Sequence, residues 1–242
     1  RTRGNWTNGT NGTFTSANTT VEFNATAANQ TITKTTTETF NTLVINNTFG
    51  GAGVTASNGV SASTLTLTAG KLTANATVTS TGGLTTGGAT NYIVGSLTRA
   101  VAAGVSSPNF PIGDAANYTP VSFAFGAGNT AGNVTVSTTV PGVPPASGTP
   151  PSGPGLSTAQ YIDRSWTVTA AIGTPEYAAT FTYIDPADIE GGANTSNLIV
   201  ARNTGGTWSN PAVATSVSPS VTTVGGQTTF GTFHLGESAA CT

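Results

Sequence analysis

The first third of the chain repeats. Val21 and Phe23 alternate in TVEFNA, Leu43 and Ile45 follow twenty-two residues later in NTLVINN, and Leu65 and Leu67 come after the same step in STLTLTA. A second apolar column runs from Ile32 in QTITK to Val54 in AGVTAS. Its third place falls on the small Ala76, with Val78 close by. Thr, Asn and Gly fill the intervals. A fixed period of this length marks a unit that cannot bury its apolar face alone and must stack on copies of itself. The expectation is a short parallel β-solenoid over residues 16–91, in three coils, with a fourth apolar set (Leu84, Tyr92, Val94) out of phase. The competing arrangement is a meander of antiparallel strands, in which case the chain is a single large antiparallel sandwich.

Composition narrows the classes. Only 7 % of residues are charged, yet 36 % are hydrophobic and these cluster in alternation, which argues against a disordered chain. No apolar run approaches the roughly 20 residues a membrane helix requires, so membrane insertion is not expected. About a fifth of the residues are Thr, β-branched and suited to extended backbone. No segment carries helical apolar spacing, so the chain reads as all-β. The net charge is −2 and its charges are scattered, which leaves no basic stripe for nucleic acid.

From Tyr92 the strand candidates lengthen and gain aromatics. Val121, Phe123 and Phe125 alternate, as do Val134 and Val136; Tyr177, Ala179, Phe181 and Tyr183; and Leu198 and Val200. Alternation means one face buried and one wet, and seven to nine such strands over 92–242 predict an antiparallel β-sandwich. NTGG at Asn203–Gly206 reads as a hairpin turn. Trp166 and Trp208 are read as core or rim anchors. Residues 140–155 hold six prolines and form an extended surface loop. Residues 1–15 form an N-terminal arm or cap, in which Trp6, Thr7 and Phe14 are the candidate assembly contacts.

The succession WTNGTNGTFTSANTTVEFNA, QTITKTTTETFNTLVINNT, STLTLTAGKLTA, NYIVGSLTRAV, FPIGD with NYTPVSF, RSWTV and TTFGTFHLGE resembles the repetitive β-rich regions of bacterial secreted and cell-surface, adhesin-like proteins. The resemblance spans nearly the whole chain without a catalytic motif. It implies surface location and structural or adhesive use.

Candidate chemistry is sparse. The single histidine, His234, is predicted to lie on the strand face opposite Phe233 and Leu235 and to be solvated. One His and the single Cys241 give little to build a zinc site. Glu22 and Glu38 are the only acids of the repeat region, and Glu22 should point outward between Val21 and Phe23. Asp185, Asp188 and Glu190 form the densest acidic cluster and a weak calcium candidate. Asp163 and Arg164, as strand neighbours, face opposite ways. Sequons at Asn5, Asn8, Asn11, Asn18, Asn24, Asn29, Asn46, Asn75, Asn117, Asn133 and Asn194 are possible glycosylation sites. Trp6, Trp208 and Tyr118 are candidate exposed aromatics for a glycan. No catalytic residue and no cofactor is assigned.

These features point to a non-catalytic extracellular structural protein, processed after export, whose partner is itself: a filament or surface-layer subunit joined by strand addition. The alternative is a surface adhesin or glycan-binding module.

Overall fold

The computed structural model describes residues 1–10, 12–85, 87–140 and 155–239. All regular structure is β. The strands are β1 (Trp6–Thr7), β2 (Thr20–Phe23), β3 (Gln30–Thr33), β4 (Glu38–Asn46), β5 (Val54–Ala56), β6 (Val60–Ala69), β7 (Leu72–Ala74), β8 (Val78–Thr85), β9 (Ile93–Val94), β10 (Leu97–Val101), β11 (Asn109–Phe110) and β12 (Ile112–Gly113), followed by β13 (Val121–Phe125), β14 (Gly132–Thr139), β15 (Leu156–Ala171), β16 (Tyr177–Thr182), β17 (Ile199–Thr204), β18 (Thr207–Ser209), β19 (Val213–Val217), β20 (Ser220–Thr223) and β21 (Thr232–Ser238). Two compact units divide the chain: Arg1–Ala100 with Phe110–Tyr118, and Val101–Asn109 with the residues from Thr119 on.

The first unit is a parallel β-solenoid. One sheet stacks β2, β4, β6, β8 and β10 in that order, and the other stacks β1, β3, β5, β7, β9 and β12. Every pairing described within these two stacks is parallel. The antiparallel meander is thereby ruled out. The twenty-two-residue step is the register of the first sheet, Val21↔Leu43↔Leu65, and these side chains are buried. In β4 and β6 the in–out alternation slips once, with Asn41–Thr42 and Ser63–Thr64 both turned away from the core. One strand thus rounds a corner and lines two sides of its coil.

The second column differs from the sequence expectation. Ile32 pairs with Ala56, not Val54; Val54 stands between Gln30 and Leu72, and Ala76 lies in a turn. The coils are of unequal length, so a constant period misplaces this column. The fourth coil is shorter, and Leu84 joins the column beside Leu65 after nineteen residues. Unequal coils stack because their turns lie backbone on backbone. Gly53 (φ +70°) and Gly70 (φ +76°) adopt left-handed conformations in successive turns, and a Cβ on either would meet a carbonyl oxygen at 2.2 Å, that of Lys71 or Asn47.

The second unit is an antiparallel sandwich. One sheet runs β14–β15–β21–β17–β18 and the other β13–β16–β20–β19, with antiparallel pairings throughout. The predicted alternations fill the space between them: Trp166 of β15 lies 5.2 Å from Phe181 of β16, and Phe181 lies 4.7 Å from Phe233 of β21. Trp166 is a core anchor, fully buried, whereas Trp208 is half-buried at the edge. The hairpin over Asn203–Gly206 joins β17 to β18, with Gly205 and Gly206 both at positive φ. Of the proline-rich segment, residues 141–154 lie outside the described residues, as do Asn11 and Cys241.

Candidate functional site: a polar clasp on the first coil

Two apolar columns of the solenoid change character at the first coil. One runs Leu97, Val78, Val60 and then Glu38. The other runs Ile112, Ile93, Leu72, Val54 and then Gln30. Both polar residues are 1 % exposed. A buried carboxylate or amide is tolerated only when its hydrogen bonds are made, and here the N-terminal arm and the coil itself share them. Trp6 Nε1 donates to Glu38 Oε2 at 3.0 Å and Asn8 Nδ2 donates to the same oxygen at 2.8 Å. Lys34 Nζ lies 3.2 Å from Oε1, which also accepts the Thr39 backbone N–H at 3.2 Å. Gln30 donates from Nε2 to the carbonyls of Thr2 (3.1 Å) and Gly4 (2.8 Å) and accepts from the Ala25 N–H and the Asn47 amide.

The backbone completes the seat. β1 adds in parallel to β3, with Trp6 opposite Ile32 and Thr7 opposite Thr33. Thr2 bridges to Phe23, and its N–H donates to the Glu22 carbonyl. Arg1 pairs with Glu22 at 2.8 Å, and Glu22 also accepts from Asn46 Nδ2, so its outward carboxylate is engaged. Trp6, which bonds Glu38, also joins Phe14 and Phe40 in a ring cluster with centroids 4.8–6.1 Å apart. The candidate assembly residues Trp6, Thr7 and Phe14 are therefore brought together, within their own chain, as the cover of the first coil.

Electrostatics follow from this packing. Burial pushes the Glu38 carboxyl up, but the bonds from Trp6, Asn8, Lys34 and Thr39 outweigh it and hold the group below the ordinary carboxylate range. Glu22 is also held low, chiefly by Asn46, against some desolvation and with help from Arg1.

The other sequence candidates fall elsewhere. Asp185, Asp188 and Glu190 do not gather into a metal site; among the described residues no three His, Cys, Asp or Glu do so. Asp188 turns inward instead and grips Arg164 with both oxygens, at 2.6 and 3.1 Å, while Oδ2 also accepts the Ile184 N–H. Asp185 is hydrogen-bonded to Ser218. Arg164 is fully buried and also reaches Thr119 and Thr138, while Asp163 on the opposite strand face stays half-exposed. His234 is not open to solvent: it sits half-buried with its ring 5.5 Å from Trp208, and burial holds its imidazole below the ordinary value. The three aromatics read as exposed are half-buried, Tyr118 against Tyr92 at 5.5 Å, Trp208 against His234 and Trp6 in the clasp. Among the sequon asparagines, Asn5, Asn18, Asn29, Asn75, Asn133 and Asn194 are exposed, while Asn8, Asn24, Asn46 and Asn117 are half-buried.

Sequence reasoning missed Lys34, Gln30 and Asn8 as parts of one site. A signal was present, because the twenty-two-residue step that relates Leu43 to Leu65 also sets Glu38 on Val60, an inward position. Nothing comparable announced the Arg164–Asp188 pair, which spans 24 residues of irregular spacing. Comparison with known protein families, with curated proteins and with solved structures finds no match for this chain.

Proposed function

We propose that this is a non-catalytic structural protein of the cell surface or extracellular space that assembles with copies of itself by β-strand addition. The observation that carries the reading is the clasp. The first coil ends in a seat whose buried polar residues and open strand β3 receive an extended arm, and the arm binds through main-chain pairing and a few anchors, Trp6, Thr7 and Phe14. Strand addition needs no charge complementarity. An arm seated on its own coil can be seated equally on the coil of a second copy, since exchange preserves each contact. Low charge supports this reading, as little electrostatic repulsion opposes association. So does the second unit's edge strand β19, which carries no charged residue and leaves Val217 68 % exposed.

Negative-stain electron microscopy of the purified chain tests the proposal. Filaments or regular assemblies are expected, and a chain lacking residues 1–15 with Glu38→Val, which removes the buried carboxylate that has lost its Trp6 and Asn8 donors, is expected to fold and stay monomeric. Uniform single particles from the full chain would refute assembly, and filaments from the shortened chain would remove the arm as donor.

A further inference from the structure

We infer that the clasp is the site of a self-formed covalent bond: an amide between Lys34 Nζ and Asn8 Cγ, with Glu38 as the catalytic residue. One carboxylate holds both reactants. Lys34 Nζ is on Oε1 at 3.2 Å, and the Asn8 amide nitrogen is on Oε2 at 2.8 Å. An amine and a primary carboxamide bridged by one acid are positioned for acyl transfer, in which pre-organisation replaces an encounter. Little of the site is open to water: the Glu38 side chain is 2 % exposed and that of Lys34 13 %, and the Trp6 ring that bonds the carboxylate packs against Phe14 and Phe40. Trp6 Nε1, the third donor to the carboxylate, fixes its orientation from the side of the arm.

The step balances without a co-reactant. Lys34 passes a proton to Glu38, which turns the ion pair into a neutral amine beside a carboxylic acid. The amine attacks Asn8 Cγ, the Nζ–Cγ bond forms, and the tetrahedral centre collapses as the Cγ–Nδ2 bond breaks. Glu38 delivers the proton that the departing nitrogen needs and ammonia leaves; the freed carboxylate then takes the second proton from Nζ and passes it to the ammonia, which departs as ammonium. Nothing is oxidised or reduced. Each chain reacts once, so even a minor population of the neutral pair is sufficient. The product ties the arm to the coil it covers, in a chain whose lone Cys241 allows no internal disulfide. The inference does not depend on assembly, since both reactants are brought together within one chain.

Intact-mass measurement of the folded full-length protein tests it. The expected mass is one ammonia, about 17 Da, below that of the sequence. Asn8 precedes Gly9, and a succinimide there would lose the same mass; hydroxylamine at mild alkaline pH opens a succinimide and leaves the cross-link intact. Trypsin adds a second readout: a cross-linked Lys34 resists cleavage, so a fragment spanning Gly4 to Lys71 replaces the one ending at Lys34. Lys34→Arg and Glu38→Gln should both retain the full mass while keeping the wild-type circular dichroism spectrum. Full mass in the wild type after prolonged incubation, a deficit abolished by hydroxylamine, or a deficit that persists in Lys34→Arg would each overturn the inference. A persisting deficit in Glu38→Gln would overturn the role given to Glu38.

Discussion

The solenoid and the sandwich bury charge in different places, and the difference follows from their topology. In the solenoid, Glu38 and Gln30 end columns that are otherwise Val, Leu and Ile, at the first coil, where no earlier coil supplies an apolar neighbour. A stack has an end, and a charge placed there is satisfied by whatever segment is laid across it, here the arm. In the sandwich, Arg164 sits fully buried in β15, in the stretch between Tyr161 and Ser165 where the pairing to β21 shifts register. It is neutralised by Asp188, carried on the loop between β16 and β17. The first device makes an end that can be opened or exchanged; the second pins a loop into a core.

The largest expected effect tests the interior pair. Arg164→Ala leaves Asp188 buried without a counter-charge and should destabilise the sandwich by about 3–5 kcal/mol in urea unfolding. The double change Arg164→Met with Asp188→Leu should cost far less; an equally large loss would show that the pair contributes more than charge balance. Next, Leu65→Ala opens a cavity in the middle of a solenoid column and should cost about 3 kcal/mol. Glu38→Ala removes the acceptor shared by Trp6, Asn8 and Lys34, and the loss should be about 2 kcal/mol, with a red shift in Trp6 fluorescence as the arm detaches. An unchanged spectrum would mean that the arm is held by β1–β3 pairing alone. Were the Lys34–Asn8 bond formed, closing a loop of about 26 residues would add roughly 3–4 kcal/mol, by the chain-entropy argument used for disulfides.

Titration should give the smallest effects, of opposite sign in the two units. Glu38 is held below its unfolded value, so its contribution is present above the ordinary carboxylate range and fades as pH falls through the folded value. Tyr177 in the sandwich behaves in reverse: burial, partly offset by Arg202, pushes its hydroxyl up to about 12. Its contribution is complete below the unfolded value of about 10 and disappears as pH rises from there to about 12. Melting curves across both ranges, comparing the wild type with Glu38→Gln and Tyr177→Phe, separate the two; identical pH profiles in wild type and variant would refute the assignment for that residue.

Legibility in the sequence also differed between the units. The first sheet of the solenoid was readable because its first three strands keep one spacing, so Val21, Leu43 and Leu65 recur in phase. The second sheet was not, since unequal turns move Ile32 onto Ala56 and Val54 onto Leu72. The sandwich core was readable strand by strand from alternation, with Phe123, Phe181 and Val200 all buried. The placement of Asp188 was not, because a short acidic run in a glycine-ended loop looks the same whether it turns toward solvent or toward an arginine.

The sequence alone settled the all-β class, the twenty-two-residue step of the first strands and the inward faces of the later ones, because periodicity is a local property that backbone geometry converts directly into sidedness; that the repeats stack in parallel was decided by the structure. Only the tertiary structure decided that Glu38 meets Lys34 and Asn8, and that Arg164 meets Asp188. Those partners are set by where loops and the arm come to rest, which depends on the length of every turn between them and leaves no period in the chain.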